Sequence, residues 1–289
     1  MADAIAVTGA SGFVGRALTA HLAQRGFAVR ALSRAGAGPD LPGVTHLRYE
    51  LTAPAPAALD GARAVIHAAF ADRIPEHGPD PNAVGARILL DAARASGVKP
   101  IFLSSFSAHD DAISAYGRSK LAIERLFDQP GDAVLKLGLV VGDGGVFARM
   151  RSAAEGRTAL PVPGAGKPVQ VVAVGDVCLA AEHVVRDDLD GTFWIASPDA
   201  VPMRALYRTL AGPGAHLVPI PLTPLLAIAR AARGIGIPLP FTVDNVAGLM
   251  RMRRHPTRTD LARVGLTARA FEDVVRPTQR KEADAREPR

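Results

Sequence analysis

Cysteine is nearly absent from this chain: Cys178 stands alone among 289 residues. A single thiol rules out an internal disulfide framework and fits a reducing compartment, so a cytoplasmic location is expected. Aromatic residues make up only 5% of the chain, with one tryptophan, too few for a base-stacking platform. Long apolar runs are missing as well. The best stretch, 217–229, is broken by Pro219, Pro221 and Pro224 and stopped by Arg230. A bilayer span needs about 20 uninterrupted apolar residues. No membrane span is expected there, but a core or lobe helix, with an amphipathic surface helix as the lesser alternative. No basic-then-apolar leader precedes the first β-like run at Ala4. The eight histidines show no ligand-like pairing, so no metal is expected. The net charge is +6 and the pI near 10.0, but the arginines are scattered and the densest cluster, 251–255, is short. No nucleic-acid partner is expected; a polyanionic small molecule suffices to use the positive potential.

What the chain does have is alternation. Apolar β-like runs at 4–7, 28–32, 64–67, 101–103 and 133–137 are interleaved with helix-like runs at 15–25, 84–95 and 115–127. Strands alternating with helices predict an α/β fold, a Rossmann-type doubly wound parallel sheet. Gly26 and Gly97 read as helix-terminating glycines. After Gly142 the pattern changes and Gly-Pro punctuation thickens. The expected organisation is a nucleotide-binding domain over 1–142 and a small C-terminal substrate lobe over most of 143–275. The segment 169–185 is expected to return to the first domain. The polar tail 276–289 is expected to be disordered.

The first β-like run leads into Thr8-Gly9-Ala10-Ser11-Gly12-Phe13-Val14-Gly15 and then a helix-like run. Strand, glycine turn and helix in that order make a phosphate site, because unpaired first-turn amides point at the anion. Gly9, Ser11, Gly12, Phe13, Val14 and Gly15 are therefore candidate dinucleotide contacts. The second run ends at Ser33-Arg34. A site preferring NAD commonly carries a carboxylate near this point to hold ribose hydroxyls. A hydroxyl and a guanidinium suit a 2′-phosphate instead, which favours NADP over NAD.

Tyr116 and Lys120, four apart, share one helix face. An ammonium beside a tyrosine stabilises its phenolate, and the tyrosine can then exchange a proton with a substrate hydroxyl. Ser105 follows the fifth β-like run, where a hydroxyl faces the ligand crevice of an open α/β sheet.

With these features together, the chain resembles the extended short-chain dehydrogenase/reductase superfamily, the NAD(P)-dependent epimerases, dehydratases and reductases. Residues 8–15 fit its T-G-x-x-G-x-x-G pattern, Tyr116 and Lys120 its Y-x-x-x-K, and Ser105 its catalytic serine or threonine. The stretch 65–69, ending His67-Ala68-Ala69, resembles the segment that lines the cofactor, and Asn82 resembles the Asn that opens the fourth helix. Val171 to Val177 resembles a later strand-and-Asp segment. Glu50-Leu51 stand where an Asp commonly contacts adenine, and Lys136-Leu137-Gly138 where nucleotide-sugar enzymes often carry Arg-x-Pro. These departures weigh against a sugar-nucleotide substrate more than against cofactor binding. The resemblance implies an enzyme that moves hydride at a carbinol or carbonyl carbon of a small molecule. Tyr116 would be the acid/base, Ser105 would hold the oxygen, and Lys120 would tune Tyr116 and bond the ribose. Reductase, epimerase and dehydratase outcomes all remain open. So does a non-catalytic NADP(H)-binding sensor or structural subunit. Pairing of two copies through the helices at 84–95 and 115–127 is implied by the resemblance alone.

Overall fold

The computed structural model describes residues 4–275 except 55, 76, 213 and 236–241; the tail expected to be disordered lies outside them. The first half runs β1 (Ala4–Thr8), α1 (Phe13–Gln24), β2 (Val29–Ser33), β3 (Val44–Arg48), α2 (Pro56–Leu59), β4 (Ala62–His67), α3 (Pro81–Ala95), β5 (Lys99–Ser105), α4 (Ala115–Glu124) and β6 (Ala133–Leu137). The second half runs β7 (Leu139–Val141), α5 (Gly145–Ala154), β8 (Ala159–Pro163), β9 (Pro168–Val169), β10 (Val171–Ala173), α6 (Val174–Arg186) and β11 (Gly191–Ile195). It continues with β12 (Val201–Pro202), α7 (Met203–Ala211), β13 (His216–Ile220), α8 (Leu222–Gly234), α9 (Val243–Met250) and α10 (Arg258–Arg263).

Seven strands form one parallel sheet in the order β11-β6-β5-β4-β1-β2-β3. Strands β1, β5 and β6 are near-continuous apolar runs because helices cover both faces. The chain order reverses between β1 and β4, which opens a crevice at the carboxyl ends of the central strands. Two sheet strands fall outside the five runs read from sequence. The edge strand β3 is only half-buried, so its hydrophobic pattern is weak. The other edge strand, β11, lies far along the chain and joins β6 in register from Gly191 with Ala133 to Ile195 with Leu137.

The main core packs Ile5, Val7, Leu18, Leu22, Ile66, Ile101 and Leu135 against Val177, Ala181 and Val184 of α6 and Leu261 and Val264 near α10. A second core joins Phe147, Val162, Val169, Met203 and Leu206 to Phe271 and Val274. A third, smaller one holds α8 to α9 through Leu222, Leu225, Leu226 and Val246.

Two polar clasps tie these layers together. Glu182 of α6 is fully buried and is held by His21 at 2.7 Å, Arg25 at 3.0 Å and Arg186 at 2.6 Å. Burial pushes its carboxyl up, but hydrogen bonds from His21 and Arg25 and the charges of Arg186 and Arg25 outweigh this, leaving it below the usual range. The second clasp is Asp244, in the first turn of α9, whose carboxylate accepts from the amides of Ala115 and Tyr116. Ser114 accepts from the Gly117 amide at 3.0 Å, so the start of α4 is satisfied from two directions.

Glu182→Ala is expected to cost about 3 kcal/mol in urea unfolding, the low end for a broken buried pair because Arg25 and Arg186 are partly exposed. Because the folded carboxyl titrates below its unfolded value, this contribution is present above the unfolded pKa. It fades as pH falls through the folded one, so wild type and variant should converge in acid. Asp244→Ala should raise the hydrogen-exchange rates of the Ala115 and Tyr116 amides by about tenfold or more, consistent with loss of about 1–2 kcal/mol at a helix start. Unchanged exchange there would show that the clasp is not formed.

Candidate active site

The turn from β1 to α1 has no room for side chains. A Cβ on Gly15 would lie 2.1 Å from the Gly9 carbonyl oxygen, and one on Gly9, at φ +68°, 2.7 Å from the Ala69 amide nitrogen. The loop thus packs directly on Ala68 and Ala69. No side chain caps α1, whose N-cap is Gly12, so its first amides open onto the turn. The Phe13 ring presses on Gly142, Gly144 and Gly145, where added Cβ atoms would come within 2.7, 2.5 and 3.1 Å of it.

At the end of β2 the Ser33 hydroxyl is buried and has no partner among the described residues, while Arg34 is exposed beside it. Arg48 is the register partner of Ser33 on β3. Glu50 is exposed and pairs with Arg48 at 3.3 Å. Leu51 packs into the core under α3, its carbonyl oxygen 2.2 Å from where a Cβ on Gly85 would be. An uncapped helix start, a cradle without side chains and an orphaned hydroxyl fit the phosphates and ribose of a dinucleotide.

Thr8 and His67 brace the crevice floor. The Thr8 hydroxyl accepts from the Ala69 amide at 3.1 Å and shares a hydrogen bond with His67 Nδ1, 2.9 Å away. Burial, aided by the charge of Lys120, pushes the His67 pKa down to about 3 and keeps the ring neutral. Asn82 accepts from the Ala71 amide at 2.6 Å and donates to the Ala71 carbonyl at 3.1 Å, which fixes the loop carrying Phe70.

Ser105, Tyr116 and Lys120 converge beside this floor. The Ser105 hydroxyl accepts from the Ser107 amide at 3.1 Å and lies close enough to Tyr116 to pull its pKa down. The Tyr116 ring stands edge-on to Phe70 at 5.2 Å. One helical turn on, Lys120 is buried, and its ammonium donates to the Leu103 carbonyl at 2.8 Å. It lies 4.6 Å from the ring centres of both Phe70 and Phe102, and 6.0 Å from that of Tyr116.

Electrostatics modify the expectation from sequence. Burial pushes Lys120 down to about 7, with the Glu124 carboxylate opposing. Burial also raises the Tyr116 pKa, the Ser105 hydrogen bond opposes, and Asp72 raises it further. Desolvation dominates, so Tyr116 rests as a phenol. Glu124 does little for Lys120, because it is itself engaged by Lys136 at 2.6 Å and by the Ser104 hydroxyl.

Beyond Ser105 lies a wall that the sequence did not announce, since its parts come from distant segments. Trp194 stacks on His255 at 4.0 Å, and Phe106 meets both edge-on at 5.1 and 4.8 Å. Gln170 pins His255 by accepting from its amide at 2.8 Å and donating to its carbonyl at 3.0 Å. His109 Nδ1 and His255 Nε2 are buried without hydrogen-bond partners among the described residues. Burial leads the lowering of both pKa values, that of His255 to about 4, with Lys136 and Arg253 contributing. Among the described residues no cluster of three or more His, Cys, Asp or Glu could hold a metal, and Cys178 is buried with its thiol pushed up to about 12.

Comparison with known proteins agrees with this geometry. Ceramide reductase from Caulobacter vibrioides (strain NA1000 / CB15N) is 39% identical over 129 residues, 42% of this chain and 40% of that protein. The match thus spans less than half the length of that relative. Among solved structures, the NAD dependent NDP-hexosamine 5,6-dehydratase TunA, involved in tunicamycin biosynthesis, has a TM-score of 0.72 at 18% identity, covering 98% of each chain. UDP-glucose 4-epimerase of Thermus thermophilus, in complex with NAD, has a TM-score of 0.69 at 22% identity, covering 95% of this chain and 97% of that one. These two likenesses show the fold. The NAD dependent epimerase/dehydratase family matches residues 5–191, from β1 to the start of β11. By that match across most of the chain, the protein belongs to the NAD dependent epimerase/dehydratase family.

Proposed function

We propose that the protein is an NADPH-dependent reductase of a carbonyl compound, working in reverse on the corresponding alcohol. The observation that carries this reading is the convergence of Ser105, at the end of β5, with Tyr116 and the buried Lys120 ammonium of α4 at the crevice. When bound, a reduced nicotinamide dinucleotide supplies the hydride. The chain's own residues then have to place the oxygen and move one proton. Ser105 donates to the substrate oxygen, and Tyr116 delivers its hydroxyl proton to that oxygen as the carbon is reduced. The phenolate left behind is stabilised by Ser105 and by Lys120 in its charged form. Because Lys120 titrates near 7, it can hold or release a proton at neutral pH, and solvent restores the phenol. A raised tyrosine pKa keeps the resting site in the protonated form that reduction requires.

Two observations bear on ligand choice. The buried, unpartnered Ser33 hydroxyl beside Arg34, with no carboxylate at the end of β2, supports a 2′-phosphate and hence NADP. The wall of Phe106, Trp194 and His255 supports an apolar group next to the reacting carbon. Lys136, 4.6 Å from the Trp194 ring centre, is committed to Glu124 and the Ala108 carbonyl and so is not free to hold a phosphate. Similarity to a ceramide reductase points the same way.

Tyr116→Phe should lower carbonyl-dependent NADPH oxidation by about 10²–10⁴-fold, the usual worth of a positioned acid, while NADPH binding by fluorescence titration stays within about twofold. Turnover that survives this substitution would remove the proposed role. Wild type should bind NADPH more tightly than NADH, and Arg34→Ala should erase most of the difference, a loss of about 1.5–3 kcal/mol for a hydrogen bond to a charged group. Equal affinities in the wild type would contradict the NADP assignment.

A further inference from the structure

The positive charge of this protein is not spread evenly. Residues 200–259 contain eight arginines and one carboxylate, a formal +7, whereas the whole chain carries +6. That one carboxylate, Asp244, is turned inward onto the α4 amides. Arg253 pairs with Asp111 and Arg258 approaches Asp199, but Arg230, Arg251 and Arg254 are exposed and have no ion pair among the described residues.

The same stretch exposes an apolar face. Helix α8 buries Leu222, Leu225, Leu226, Ala229 and Ala232. Its other side presents Pro224, Ala227, Ile228, Ala231 and the C-cap Ile235, a spacing that keeps them on one helix face. Ile228 is 56% exposed and Ile235 72%, the two most exposed large hydrophobic residues described in the protein. Arg230 flanks this stripe on the same helix, and Arg251 closes α9, which packs on α8. A helix with one apolar face against the protein, a second toward solvent and only cationic charge is suited to the headgroup boundary of an anionic bilayer.

We propose that the outer face of α8, together with the exposed Arg230, Arg251 and Arg254 of the same stretch of chain, is a docking surface for an anionic lipid bilayer. The helix lies in the surface and does not cross it: no helix among the described residues is long and apolar enough to span a membrane. At 13 residues it lies along about 20 Å of the interface. Charge selects the surface, because an absence of carboxylates removes repulsion and the arginines attract anionic headgroups. The isoleucines give it depth, which distinguishes lipid from a soluble polyanion. Through the Asp244 clasp, α9 links this surface to the helix that carries Tyr116, so docking sets the crevice beside the bilayer. Docking of this kind does not depend on the reaction proposed above.

Flotation of the full chain with vesicles tests it. Vesicles of phosphatidylcholine with about one-third phosphatidylglycerol should carry the protein, and pure phosphatidylcholine vesicles should not. Raising the salt from about 0.1 to about 0.5 M should release most of it. The double variant Ile228→Asp, Ile235→Asp should bind at least about tenfold more weakly with an unchanged melting temperature and unchanged NADPH titration. The triple variant Arg230→Gln, Arg251→Gln, Arg254→Gln should do the same through the charge. No binding to anionic vesicles, or binding indifferent to the isoleucine changes, would overturn the proposal. So would a wild-type dimer, seen by sedimentation, that the isoleucine changes dissociate, since the face would then serve a second copy of the chain.

Discussion

A lysine whose ammonium is held in an aromatic cage is the constraint around which the site is arranged. Lys120 Nζ sits between Phe70 and Phe102 and bonds to the Leu103 carbonyl, out of contact with bulk water. The cage is costly to a full charge, and the pKa near 7 expresses that cost. It also pins α4 to β5, since Lys120 reaches the strand whose last residue is Ser105. The same bond that positions Lys120 therefore sets the distance from Ser105 to Tyr116. A lysine in water would hold its proton at every physiological pH; here its charge can respond to whatever enters the crevice.

The surrounding residues keep that cage and the glycine turn in register. Thr8 links β1 to β4 through His67 and to the Ala68-Ala69 segment through one amide. Asn82 fixes the loop that presents Phe70, so an α3 residue with no place at the reacting atoms helps shape the lysine's environment. Ser104 points away from Ser105 and, with Glu124 and Lys136, holds the far side of α4. Asp244 and the Gln170–His255 pair bring residues beyond position 240 to the crevice. The aromatic wall and α4 are thus supported by the same late segment of chain.

Much of this was legible in the residues. The apolar run at 4–7, the glycines at 9, 12 and 15 and the Tyr116–Lys120 spacing are local patterns, and local patterns survive into the structure: β1 and α1 lie where the turn demands, and Tyr116 and Lys120 share a helix face. Strand β3 was hidden because an edge strand with half-buried residues has little hydrophobic contrast, and β11 because it joins the sheet from far along the chain. Asp244, Trp194 and His255 could not be assigned, since their meaning depends on contacts between segments far apart in the chain. The direction of the Tyr116 shift was also out of reach. Spacing places the ammonium nearby, but only packing shows that both groups lose water, and that loss dominates. Charge asymmetry between residues 200–259 and the rest is present in the sequence, yet its link to an exposed isoleucine stripe needed α8 to be seen with one face already covered.

The most direct measurement is the titration of Lys120 itself. With only five lysines in the chain, nitrogen-15 NMR of the side-chain amines can be assigned by comparison with Lys120→Met. A midpoint near 7 for Lys120 is expected. A midpoint above about 10, the value of a lysine in water, would mean that the cage does not exist as described and that Tyr116 has an ordinary permanent ammonium beside it.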